Sequence, residues 1–169
     1  FTLRRPTRST LLPDTTLSRS VVLDKSNALT NVEIDNTGRT VTLTNSAATN
    51  ISAGGIQGSS VVLNTAGLTQ AGVITATSLD VTNSAGSVAL TSTGNALTNV
   101  EIDNTVNSVS LTNTSLTDIS SGGIQGSLVT LNTVGLTQTG TIDASAKLTV
   151  TNTQGDVTLT KLNNLAAIE

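Results

Sequence analysis

The sequence predicts an all-β fold, a parallel β-helix, on three observations. The chain repeats itself with a period of 68 residues. Within each copy, three-residue segments with apolar first and third positions recur between turn-forming residues. The apolar residues are nearly all Val, Ile, Leu and Ala, and Val and Ile, like the abundant Thr, are β-branched and favour strands.

The repeat is plain on inspection. NALTNVEIDNT stands at 27–37 and again at 95–105. ISAGGIQGS (51–59) returns as ISSGGIQGS (119–127), and VVLNTAGLTQ (61–70) as VTLNTVGLTQ (129–138). Residues 27–76 and 95–144 share 35 of 50 positions without a gap. The copies therefore run 27–94 and 95–162, and a third opens at Asn163 as NNLAAIE. A chain that begins with Phe, lacks Met and stops inside a copy reads as a processed product or an excerpt of a longer array.

Inside the first copy the apolar triplets are Val32-Glu33-Ile34, Val41-Thr42-Leu43, Val61-Val62-Leu63, Leu79-Asp80-Val81 and Val88-Ala89-Leu90. Single anchors stand at Ile51, Ile56, Leu68 and Ile74. Alternation over three residues marks a strand with one face buried. The separators, such as Asn36-Thr37-Gly38, Gly54-Gly55 and Ala66-Gly67, are turn formers. Nine short strands per 68 residues suggest three coils of three strands, about 22–23 residues each. Coils of that kind stack about 4.8 Å apart through main-chain hydrogen bonds. One coil cannot bury its apolar side alone, so stacking supplies the core. A string of β-sandwiches fits poorly, because it needs about 100 residues per unit and longer strands.

Composition narrows the chemistry. Thr, Ser and Asn number 33, 19 and 16 of 169 residues, and no Cys, His, Met, Trp or Tyr is present. That removes disulfides, thiolate metal sites, the cysteine nucleophile and histidine acid–base catalysis. No apolar run approaches the ~18–20 residues needed to span a bilayer as a helix. The Thr, Ser and Asn read as outward positions and corners. Asn at a bend accepts turn geometry and can bond to backbone or to an Asn one coil away.

Residues 1–20 stand apart. Residues 1–25 carry Arg4, Arg5, Arg8, Arg19 and Lys25 against Asp14 and Asp24, and both prolines, Pro6 and Pro13, lie there. The segment reads as an arm or cap: solvated, docked on the acidic body of a neighbouring copy, or touching an anionic surface. The repeat domain is then 21–169.

Candidate sites are few. Glu33 and Asp35 recur as Glu101 and Asp103, each pair flanking an inward Ile, with carboxylates about 6.7 Å apart along one strand face. That is an inverting-glycosidase spacing. An exposed motif copied in every repeat reads instead as structure. Calcium-binding turns need many oxygen ligands, and GGIQG and NTG turns hold almost no Asp. The glycine clusters at 54–58 and 122–126 lack the Lys of a phosphate loop. Thr-x-Thr ranks suit an ice-binding face, but Val62, Asp80 and Ala89 interrupt them. Asn50-Ile51-Ser52 and Asn113-Thr114-Ser115 match glycosylation sequons. No catalytic, cofactor or metal residue is assigned.

The runs GSVALTSTGNALTNVEIDN, RTVTLTNSAATNISAGGIQGSSVVLNTAGLTQAG and GDVTLTKLNN resemble the repeat region of filamentous-haemagglutinin-like exoproteins. These are large bacterial adhesins exported by two-partner secretion. The resemblance covers about residues 20–169 and rests on cadence, V-x-L-x-N and G-L-T-x-x-G. It implies a right-handed parallel β-helix shaft on, or released from, a bacterial surface. The family's secretion signature is not evident in residues 1–20, and no functional residues carry over.

The expected function is therefore structural, not enzymatic: the β-helix shaft of an extracellular adhesin or surface fibre. A second expectation is a self-assembling filament subunit that stacks end to end. A polysaccharide-binding or polysaccharide-cleaving β-helix and an ice-binding one rank below these. Expected partners are the chain itself or flanking parts of a longer chain, with host surface or polysaccharide as further candidates. Nucleic acid and a membrane span are not expected.

Overall fold

The computed structural model describes residues 19–105 and 107–169. They form strands and turns only. The strands are β1 (Val21–Asn27), β2 (Asn31–Asp35), β3 (Thr40–Asn45), β4 (Thr49–Gln57), β5 (Ser60–Thr65), β6 (Leu68–Gln70) and β7 (Ile74–Asn83). There follow β8 (Val88–Leu90), β9 (Ala96–Asp103), β10 (Val109–Thr112), β11 (Thr117–Thr133), β12 (Leu136–Gln138), β13 (Ile142–Asn152) and β14 (Asn164–Leu165). Every pairing is parallel and joins a strand to one a coil further along the chain. The chain is a parallel β-helix of about 7 turns.

Three inward columns make the core. The first face stacks Leu23, Leu43, Leu63, Val81, Ile102, Ile124 and Ile142. The second stacks Thr49, Leu68, Val88, Val109, Val129, Leu148 and Ile168. The third holds Ile34, Ile56 and Ile74 low in the stack and Thr117, Leu136 and Val157 higher up. Apart from the members at the two ends, these aliphatic side chains are fully buried. The triplet pattern works because a V-x-L segment sends both apolar side chains inward and its middle residue outward.

The coil is shorter than the expected 22–23 residues. Stacked partners lie 18 residues apart at Val61 and Leu79, 20 at Val41 and Val61, and 22 at Ile34 and Ile56. The 68-residue copy is consequently not three coils. From Leu43, three coils lead through Leu63 and Val81 to Ile102, still on the first face. The counterpart of Leu43 in the second copy is Leu111, one strand further on, which stacks between Leu90 and Leu131 on the second face. Likewise Ile56 and Ile74 lie on the third face, and their counterparts Ile124 and Ile142 on the first. Each copy spans three coils plus one face. The same sequence is laid down a third of a turn round the axis, about 16 Å higher on a coil spacing of about 4.8 Å.

Buried Asn side chains hold the corners. Asn45 Oδ1 accepts from Leu29 N (2.8 Å), while its Nδ2 donates to Leu29 O (2.7 Å), Ala47 O (3.0 Å) and Thr49 Oγ1 (2.7 Å). Asn113 repeats this with Leu97 N (2.9 Å), Leu97 O (2.8 Å), Ser115 O (3.1 Å) and Thr117 Oγ1 (2.8 Å), on a different corner. Asn95 and Gln70 exchange two amide bonds at 2.8 and 2.9 Å across adjacent coils, and Asn95 Oδ1 also accepts from Ile74 N. Asn163 and Gln138 repeat that clasp at 2.9 and 3.1 Å. Corner backbone groups leave the ladder, and these amides satisfy them. The exception lies in the second copy. Thr65 Oγ1 donates to Asn83 Oδ1 (3.1 Å), but their counterparts leave Thr133 Oγ1 and Asn152 Oδ1 without partners.

Replacing Asn113 by Ala strands buried groups of Leu97, Ser115 and Thr117. Chemical denaturation should record a loss of about 2–4 kcal/mol, against a change within about 0.5 kcal/mol for the exposed Asn31→Ala.

Candidate functional site: the acidic strand and its glycine bulge

The repeated acidic pair sits where the ladder loses register. Val32 pairs with Ile51 and Ile34 with Ile56, so one residue, Glu33, faces the four residues Ser52 to Gly55. In the second copy Glu101 faces Ser120 to Gly123 between the Val100–Ile119 and Ile102–Ile124 pairs. The extra residues form an outward bulge, and a bulge leaves backbone groups unpaired.

The glutamate covers that bulge. Glu101 Oε2 accepts a hydrogen bond from Gly122 N at 3.1 Å. A Cβ on Gly122 would lie 1.9 Å from Glu101 Cδ, and one on Gly54 2.0 Å from Glu33 Cδ. Only glycine lets the carboxylate lie this close. The next residue is glycine for another reason. Gly55 and Gly123 have φ of +79° and +83°, and a Cβ there would lie 2.2 Å from Val73 O and 2.3 Å from Thr141 O. The coil above nests into the bulge: Ile56 N donates to Val73 O (2.9 Å) and Ile124 N to Thr141 O (3.0 Å). The GGIQG clusters are thus bulges pinned between coils.

Asp35 is engaged locally too, accepting from Thr37 Oγ1 (2.8 Å) and Thr37 N (3.3 Å). Glu33, Asp35 and Asp103 are exposed and Glu101 is half-buried. Because the repeat turns by one face, the two pairs do not share a face. Glu101 lies instead beside Asp80 of the preceding coil. Burial pushes the Asp80 carboxyl above the usual carboxylate range.

The other sequence signals are also placed. The outward column of the first face runs Val22, Thr42, Val62, Asp80, Glu101, so no uniform Thr rank forms there. Asn113 of one sequon is buried with its Nδ2 fully used. Asn50 of the other donates to Asn31 Oδ1 in a surface ladder. Four shallow grooves follow the corners. The one between Thr49, Leu68 and Gly86 has a volume of about 380 Å³, and none of the four is lined by a charged side chain. Among the described residues no cluster of three or more acidic side chains is arranged to hold a metal, and no helix is long and apolar enough to cross a membrane. The basic arm assigned to residues 1–20 lies, up to Ser18, outside the described residues.

The Gln70–Asn95 clasp and the Glu–glycine cover escaped sequence reading. Their signals were present in the recurrence of GLTQ and of Glu 21 residues before Gly-Gly. With this geometry in hand, comparison with protein-family models, curated proteins and solved structures gives no match.

Gly55→Ala or Gly123→Ala should cost about 2–4 kcal/mol, from left-handed strain and backbone overlap together. Glu101→Gln, which keeps an acceptor over Gly122, should cost under about 1 kcal/mol in the same urea titration. Asp80 supplies a pH test. A carboxyl whose folded pKa is raised contributes most to stability below its unfolded value, and that contribution is lost as pH rises through the folded value. Asp80→Asn should therefore raise the melting temperature by roughly 1–3 °C at pH 7 and give no gain at pH 3.

Proposed function

We propose that this chain is a structural segment, the β-helix shaft of an extracellular bacterial adhesin or surface fibre. The observation that carries the reading is the recurrence of the Asn45 corner at Asn113 and of the Glu33 bulge at Glu101, although the copies stand on different faces. Selection on a catalytic site would single out one place. Here the repeated Asn and Gln side chains close corners, and the repeated Glu lies over a bulge. The coat is polar with little charge, 11% of residues, which suits an exposed rod that must not bind its surroundings everywhere. The adhesin assignment is supported by the resemblance of the V-x-L-x-N cadence.

A filament subunit that stacks end to end is the second reading. It is suited to a parallel ladder, in which a coil without a neighbour offers unpaired backbone groups that a second copy can pair.

Tandem arrays of the 68-residue unit should give rods that lengthen by about 16 Å per copy in electron micrographs. On a bacterial surface, the reach of a binding domain carried at the tip should follow copy number and not the identity of outward Thr or Ser. Saturable binding or cleavage of a polysaccharide, abolished by Glu33→Gln with Glu101→Gln, would replace the shaft reading with an enzymatic or lectin one.

A further inference from the structure

One corner of the coil is built twice, with opposite relief. In the first copy it carries Ala48 and, on the next two coils, Ala66-Gly67 and Gly86. In the second copy the same positions hold Leu116, Val134-Gly135 and Gly155. The backbones agree. Thr49 N donates to Gly67 O (2.9 Å) and Leu68 N to Ser87 O (3.0 Å), as Thr117 N does to Gly135 O (3.0 Å) and Leu136 N to Asp156 O (2.9 Å).

The side chains do not agree. A Cβ on Gly135 would lie 2.8 Å from Leu116 Cδ1, whereas one on Gly67 meets nothing nearer than Ala48 Cβ at 3.5 Å. Leu116 thus lies over its glycine, and the space it fills is open above Gly67. That space belongs to the groove of about 380 Å³ bounded by Ala48, Ala66, Gly67, Leu68 and Gly86. At the second copy the corner is a ridge instead, and its Leu116 is 58% exposed.

We infer that the ridge of one copy of this chain docks, side by side, into the groove of a second copy. The two match in chemistry and in spacing. The groove has the shape of the leucine and valine that its counterpart carries, and no charged side chain lines it. Leu116 and Val134 stand on successive coils, as Ala48 and Ala66 do, so ridge and groove share a spacing of about 4.8 Å. Burial of the aliphatic side chains supplies the attraction.

Charge selects the pairing. Asn50 and Ser87 at the groove are replaced by Asp118 and Asp156 at the ridge. Two ridges brought together would oppose like charges, whereas a ridge in a groove meets an amide and a hydroxyl. Ridge and groove also stand on different corners, a third of a turn apart. A twofold pair cannot satisfy both, so each joint leaves one ridge and one groove free to bind further copies. The contact is lateral and goes beyond the shaft reading. The patch is small, which sets association in the range of about 0.1–1 mM.

Sedimentation velocity of the full chain, from micromolar to millimolar, tests this. Expected are reversible oligomers that grow with concentration. Leu116→Ala with Val134→Ala removes the ridge. Ala48→Leu with Ala66→Val fills the groove with residues that the same backbone carries in the second copy. Each double variant should weaken self-association at least about tenfold, and an equimolar mixture of the two should restore it, one supplying ridges and the other grooves. Ala48→Glu, at an exposed position, blocks the groove by charge and should match the filled variant. A wild-type monomer at millimolar concentration, association indifferent to Ala48→Glu or to the loss of the ridge, or a mixture no more associated than its parts would overturn the inference. Circular dichroism of each sample separates the two levels: a folded β-sheet monomer sinks only the docking inference, and an unfolded wild-type chain sinks the shaft reading as well.

Discussion

A parallel ladder wound into a closed coil must turn a corner three times per turn, and at each corner backbone amides and carbonyls leave the ladder. The interior offers them no water, and a buried polar group without a partner is costly. The side chain of Asn meets that constraint because it carries one acceptor and two donors on a short stem, and so imitates the peptide it replaces. Asn45, Asn83, Asn95, Asn104 and Asn113 are all buried, and each bonds to backbone of its own or a neighbouring coil. The aliphatic columns supply the driving force, yet they stay in line only while these corners hold.

The corner chemistry also explains how one sequence can serve on every face. Asn45 and Asn113 make the same four contacts on different corners. The network refers only to the coil itself and the coil beside it, never to a particular face. A repeat that advances three coils plus one face is therefore tolerated. The glycine bulges behave alike: Glu33 with Gly54 and Glu101 with Gly122 form one unit set down twice, a third of a turn apart.

Much of this was legible beforehand, and the failures have a common cause. Val41-Thr42-Leu43 and its kin announced inward and outward residues correctly, because alternation is a local property of a strand. The coil length is not legible in the 68-residue period, because nothing local says whether a repeat closes on the same face. Glu33 and Asp35 were rightly placed on an exposed strand face. That Glu33 covers Gly54 was not legible, since the register shift from Val32–Ile51 to Ile34–Ile56 joins residues about 20 apart. The Gln70–Asn95 clasp was hidden for the same reason, its partners lying 25 residues apart.

The one-face advance has a consequence for how such a chain changes over generations. Tandem copies are gained and lost by slippage and unequal recombination, and a solenoid absorbs each event without injury to its core. Here no such event is neutral in azimuth. Adding or losing one copy swings everything downstream through a third of a revolution, and only changes by threes restore the original heading. A change of copy number in this repeat would thus be a dial as well as a ruler: it would set the azimuth of the coils that follow while it set their height.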